Sequence, residues 1–398
     1  MSLFRYPIFF APHRFFFAAG FAQWAFLLIF WTLEMLARVG GNDLPWSGIA
    51  PARWLHGALF VFGPFPLWIF AFAFTAMPRW LKLPPVLPRE YLPGGLAIAA
   101  GWLLADLALW GGSLRLMLIG FGTVGAGWGL LLMTLWRIAR RAPTGDSHPR
   151  LLAGAVTLGV PSLWLAVWGL STAHAGRIDL ALTLGVWAFL LPTFVVVAHR
   201  MLPFFTRSAL PQVVPWQPQW VLWCLPACLL AYGLSVRYTP TLAWLPAFAG
   251  LAISALVSMR WQLRASFANR LLATHHVALV WLSVAFALGA LQSALLAADI
   301  LWGGIAPLHA VTFGFAVTMV FGMATRVTLG HSGQPIGATP LLWRLFWTLQ
   351  LAVVLRLAAD LLPRLAVVLL PLAALLSIVV FGAWLWQYAS YWAIDADE

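Results

Sequence analysis

Nine histidines in so apolar a chain are the residues whose chemistry has to be asked about first. A neutral imidazole is the commonest protein ligand for iron, copper and zinc. His56 and His309 each open an apolar run, His199 closes one, His275 and His276 open another, and His331 lies just past the run that His309 opens. A haem iron takes one or two such ligands. Cys-x-x-Cys-His is absent, so covalent c-type attachment is excluded and a b-type haem is the form to expect. A lone histidine at a helix end is ordinarily a hydrogen-bonded structural residue, and His13, His148 and His174, in or beside loops, read that way. Clustering at run ends, in a protein with only 11 Asp and Glu, favours metal. Cys224 and Cys228, four residues apart, would share one helix face. Small-residue packing is preferred for them over a redox pair or soft ligands.

The elements that position these residues follow from composition. Of 398 residues, 63% are hydrophobic and 9% charged, with a mean hydropathy of +0.90. A soluble domain carries about 25% charged residues, so the solvent for this surface is the lipid bilayer. Runs of about 20 apolar residues, enough to cross a ~30 Å hydrocarbon core, recur twelve times. They lie near 15–38, 54–76, 92–110, 114–136, 151–173, 178–200, 219–238, 241–258, 272–297, 305–327, 341–361 and 364–390. The fold class is all-α, a polytopic bundle of about 12 transmembrane helices forming one domain over 1–398, because no connector is long enough to fold alone.

Arginine sets the orientation. Connectors after even-numbered spans hold 13 Arg and Lys against six after odd-numbered ones, which puts both termini in the cytoplasm. The net charge of +12 is this scatter rather than a nucleic-acid stripe, so no nucleic-acid partner is expected. Arg5, His13 and Arg14 precede the first span without a cleavage site, as in an uncleaved signal anchor. The histidines then fall in two layers roughly 25 Å apart by helix rise. His56 and His309 lie near the outer face; His199, His275, His276 and His331 lie near the inner one. One metal cannot bridge the layers; two sites can.

The run Gly120–Gly129 has the letters of a dinucleotide fingerprint but sits within a span, with no strand before it. It reads as small residues that let helices approach closely. Arg79, Arg200 and Arg326 end the second, sixth and tenth spans. A four-helix spacing is also found in the three-fold, twelve-helix arrangement of haem-copper oxidases. Arginine at inner helix ends is what the positive-inside rule supplies anyway, so the likeness is analogy only.

The segment 308–336, LHAVTFGFAVTMVFGMATRVTLGHSGQPI, resembles the signature of the NnrS family of bacterial inner-membrane proteins. His309, Arg326, Gly330, His331, Ser332 and Gly333 carry that match. RMLPFFTRSAL at 200–210 is similar to a second family stretch, as are His276 with Trp281, and His56, Gly63, Pro78 and Trp80 in the second span. One departure concerns His56: the family often has His-x-His-Glu there, and this chain has Gly57, Ala58 and Leu59 after it. A metal site built on the missing residues would be altered here. The resemblance implies a multi-pass protein of the bacterial inner membrane, with haem b and copper, that handles nitric oxide and relieves nitrosative stress.

The expected ligands are His56 with His309 in the outer layer, and at least two of His276, His331 and His199 in the inner one. Arg200 and Arg326 would hold haem propionates, which makes haem the preferred inner occupant and copper the alternative. The implied partners are nitric oxide or another small diatomic ligand and a membrane electron donor. The runner-up function is a secondary transporter, which needs broken helices in matching positions of two halves. Pro64 and Pro66, Pro161, Pro192 and Pro226 are expected to interrupt helices, without a six-plus-six match. A scaffold or assembly factor is the third reading.

Overall fold

The computed structural model describes residues 7–393, so Arg5 and Glu398 lie outside the described residues. Twelve helices long and apolar enough to cross a membrane account for most of it, and no strand occurs among the described residues. They are α1 (Pro12–Gly40), α2 (Ala52–Trp80), α3 (Pro88–Trp110), α4 (Leu114–Ala139), α5 (His148–Ser171) and α6 (Ala175–Ala209), then α7 (Gln219–Tyr238), α8 (Pro240–Arg260), α9 (Arg270–Ala297), α10 (Ala306–His331), α11 (Pro340–Leu361) and α12 (Pro363–Trp392). Each expected apolar run is one of these helices.

The largest boundary difference is in α6. Its apolar run fails at His199–Arg200, but the helix carries on through Pro203 to Ala209. Proline has no N–H, so the His199 carbonyl loses its helical donor. Gln217 replaces it, donating from Nε2 at 2.7 Å. Such side-chain rescue is how spanning helices tolerate proline. Pro161 and Pro226 likewise sit inside unbroken helices, contrary to expectation. Two interruptions adjoin Pro64 and Pro192, as expected, and a third falls in α10, where none was expected. α2 consists of two segments, Ala52–Phe62 and Pro64–Trp80, meeting at Gly63, whose ψ of −93° leaves the helical region. α6 widens into a π-helical turn over Gly185–Leu190, just before Pro192, and α10 does the same over Ala310–Val317.

The chain groups into two compact units. The first runs to Leu190 and takes in the chain from Leu385; the second is Leu191–Trp384. In the first, α3 and α4 meet along glycines. A Cβ on Gly94 would lie 2.7 Å from the Gly127 carbonyl oxygen, and one on Gly101 would lie 2.6 Å from that of Gly120. The Gly120–Gly129 run is therefore a packing seam, as its sequence suggested. α1 and α2 meet through aromatics, with Trp68 laid on Gly20 and its ring 5.0 Å from Phe21 and 5.5 Å from Trp24. Gln23 of α1 donates to the buried Asp106 of α3 at 3.0 Å.

In the second unit, hydrogen bonds between helices replace the missing hydrophobic drive. Trp281 of α9 donates to Gln350 of α11 at 2.7 Å, and Trp384 of α12 donates to Thr325 of α10 at 2.8 Å. Ser283 of α9 donates to Ser254 of α8 at 2.9 Å. Glycines again admit large rings: Gly250 faces Phe286, and Gly314 faces Trp281.

Burial singles out three helices. In their most apolar stretches α2, α6 and α10 are 83%, 72% and 78% buried, while none of the other nine exceeds 56%. Their backbones also depart from α geometry inside the span, at Gly63, Gly185 and Ala310, whereas the 3-10 turns of α8 and α12 lie at the helix ends. Each departure begins 15 or 16 residues before an arginine, Arg79, Arg200 or Arg326. The four-helix spacing is thus carried by burial and backbone form as well as by charge. A packing depth and a backbone break are not things the positive-inside rule supplies.

Candidate functional site

α9 starts under the side chain of Asn269, which accepts from the Leu272 N–H at 3.0 Å. Its second turn carries His275 and His276, both 0% exposed. Two adjacent residues on a helix point about 100° apart, so the two rings meet different neighbours. His275 Nδ1 lies 2.8 Å from the Leu271 carbonyl oxygen, and Thr274 Oγ1 is 3.3 Å from the same nitrogen. Its ring stands edge-on to Phe205 of α6 at 5.6 Å. The edge bearing Nε2 lies against Gly322 of α10, where a Cβ would come within 3.1 Å of that nitrogen. His276 Nε2 is 3.1 Å from Thr206 Oγ1 of α6.

Each ring keeps one nitrogen back. His275 Nε2 and His276 Nδ1 are buried without a hydrogen-bond partner among the described residues. Leaving a buried polar atom unsatisfied costs about 1–3 kcal/mol, and native proteins leave few such atoms without a reason. Beside them Arg326 of α10 places its guanidinium 3.9 Å above the Phe205 ring. Half-buried, Arg326 has no hydrogen-bonded or ion-paired partner among the described residues. The His275 ring and the Arg326 guanidinium thus meet at Phe205, while His276 reaches the neighbouring Thr206 through Nε2 and keeps its open Nδ1 on the other side of its ring.

This donor set fits one kind of group better than another. A protein site for bare copper or zinc takes three or four side-chain donors, and no group of three His, Cys, Asp or Glu fit for a metal occurs among the described residues. A haem brings four nitrogens of its own, needs one or two from the protein, and carries carboxylates that an arginine can hold. The residues present therefore fit a haem better than a bare ion: His275 or His276 would offer a nitrogen to its iron, and Arg326 would pair with a propionate.

The other expected ligands are placed as follows. His199 lies seven residues before Thr206 on α6, about 10 Å along the axis, and its Nε2 donates to the Pro218 carbonyl at 3.2 Å. It fastens the segment after α6, together with Gln217. Arg200 is its half-buried neighbour. His331 is the last residue of α10, nine past Gly322 and about 13 Å further along the helix. His309 has Nδ1 3.3 Å from the Ile305 carbonyl oxygen. His56 belongs to the first unit, stacked on Trp31 at 3.9 Å and beside Phe60 at 4.4 Å. Of the residues singled out by sequence, His276 and Arg326 share the cluster, joined through Thr206 and Phe205. His148 pairs with Asp146 at 3.1 Å and His174 caps the start of α6, the structural roles expected of them. Cys224 is exposed and Cys228 partly so, with no disulfide between them.

Sequence reasoning placed His275 in the inner layer without choosing it as a ligand, and passed over Thr206, Phe205 and Gly322. Phe205 and Thr206 were within reach, since both lie in the 200–210 stretch that carries a family resemblance. A family model described as NnrS protein matches residues 7–393. No curated protein matches the chain.

Proposed function

The chain belongs to the NnrS family over nearly its whole length, and on that premise we propose that it is a b-type haem protein of the bacterial inner membrane that handles nitric oxide and relieves nitrosative stress. The observation that supports this most is the pair of wholly buried imidazoles, each with one nitrogen unsatisfied, beside an unpaired arginine. A ferrous haem with an open axial position supplies nitric oxide binding when it is present. The chain's own contribution is to hold two fully buried imidazoles ready and to present Arg326 to an anionic edge. Copper is the second proposed group, and an electron donor in the membrane the proposed partner. Outside this cluster, His56 with His309 remain the proposed outer-layer haem ligands, His331 a proposed inner-layer metal ligand and Arg200 a proposed partner for a propionate.

The transporter reading calls for breaks that match between two halves. The breaks here fall in α2, α6 and α10, a spacing of thirds. The test is the absorption spectrum of the purified full-length protein. A Soret band that shifts on adding nitric oxide to the reduced protein is the expected result. Purified protein without a Soret band, from cells supplied with haem, would overturn the reading.

Orientation is proposed from the arginine asymmetry: both termini are cytoplasmic. A reporter that works only in the cytoplasm, fused after Glu398, should be active, and one that works only outside should be silent. The reverse result would exchange the outer and inner histidine layers.

A further inference from the structure

We infer that His275, and not the motif-matched His276, gives its nitrogen to the haem iron. The inference rests on the haem reading above and names the residue that reading leaves open. A carbonyl oxygen only accepts hydrogen bonds, so the 2.8 Å contact with Leu271 places the hydrogen of His275 on Nδ1. Nε2 is then a bare lone pair in the neutral ring, and it is the nitrogen buried without a partner. An Nδ1–H fixed by a backbone carbonyl, with Nε2 turned to the metal, is the way a ligating histidine is held in its tautomer and orientation. No proton would have to move on binding: Nε2 would offer its lone pair to iron while Nδ1 kept its hydrogen on the Leu271 carbonyl.

His276 has the opposite arrangement. Its Nε2 is taken up by Thr206 at 3.1 Å, and the nitrogen left over is Nδ1. Nδ1 sits next to the carbon that bears the side chain, so a flat macrocycle bound there would run into the helix that carries it. Nε2 is the ring atom furthest from the backbone and meets no such obstacle. Gly322 lets α10 close on this face of α9: a Cβ there would lie 2.5 Å from Thr274 Oγ1 and 3.1 Å from His275 Nε2. The open guanidinium of Arg326, over the same Phe205 ring that His275 abuts, gives the haem's carboxylate edge a partner on this side.

The test uses the full-length protein in detergent, as wild type, His275→Cys, His275→Gly and His276→Gly. Readouts are haem per polypeptide and the spectrum of the reduced carbon monoxide complex. His275→Cys should show the red-shifted Soret band of thiolate ligation. His275→Gly should retain at most a tenth of the wild-type haem and regain it with added imidazole, which fills the space of the lost ring. His276→Gly should keep a histidine-type spectrum. Haem-loaded wild type, with both His275 variants showing wild-type content and spectrum, would overturn the assignment and leave the haem reading standing. Loss of haem from His275→Gly that imidazole does not restore, with no thiolate band in His275→Cys, would also overturn it. Wild type without haem would overturn both.

Discussion

Gly127→Leu should remove most of the folded protein, while Gly129→Leu, two residues along the same helix, should leave its yield unchanged. A Cβ on Gly127 would lie 2.6 Å from the Gly94 carbonyl oxygen, 2.9 Å from Ala97 and 3.0 Å from Ile98. The first of these is backbone, so no rotamer change relieves it and the two helices must move apart. In lipid, helices are held together largely by close packing and interhelical hydrogen bonds. Separating them also undoes the reciprocal contact at Gly101 and Gly120, a little over 10 Å along the seam. Overpacking a well-fitted core costs typically 1–3 kcal/mol, occasionally more, and a backbone-on-backbone seam with two such contacts belongs at the upper end. Gly129 meets nothing within 4 Å, so a leucine there is simply added to the lipid-facing surface. The measurement is the monodisperse fraction in detergent and its melting temperature. Equal behaviour of the two variants would mean the seam does not hold α3 and α4 together.

The seam was legible from sequence because lipid leaves few alternatives for a run of glycines within a span. The count of twelve was legible for a related reason: a hydrocarbon core demands about 20 apolar residues per crossing. Helix ends were less so. The sequence shows an apolar run stopping at Arg200, but not that Gln217 returns to the freed His199 carbonyl and lets α6 continue to Ala209. Pro161 and Pro226 look like breaks by residue type and are not; Gly63 is one, because its ψ leaves the helix. At the site, residue type and position near a helix end pointed to His275 and His276 alike, and only the family resemblance singled out His276. What distinguishes His275 is which nitrogen its own helix satisfies and which it strands against Gly322. That is a property of the packed structure, and His275 and His276 are identical letters side by side in the sequence.

Arg326→Gln should change haem retention and protein stability in opposite directions. The guanidinium is half-buried, 3.9 Å above the Phe205 ring, with no hydrogen-bond or ion-pair partner among the described residues. Without a haem, an unpaired cation in apolar surroundings is a net burden even after the cation–π attraction of about 0.5–2 kcal/mol. Removing the charge should therefore leave the haem-free protein as stable as wild type or more so. With haem bound, the same charge faces a carboxylate, and a hydrogen bond to a charged group is worth about 1.5–3 kcal/mol. Its loss should weaken haem binding roughly ten- to a hundredfold, since about 1.4 kcal/mol is a factor of ten. Arg326→Lys keeps the charge but lacks the planar fork that grips a carboxylate at two points, so its loss of haem should be smaller. The measurements are the rate of haem transfer from the protein to an excess of a haem-binding acceptor and the melting temperature of haem-free protein. Faster transfer with an unchanged or raised melting temperature is the expected pair. A lowered melting temperature with unaltered transfer would make Arg326 a packing residue of α6 and α10, and the propionate contact would have to lie elsewhere.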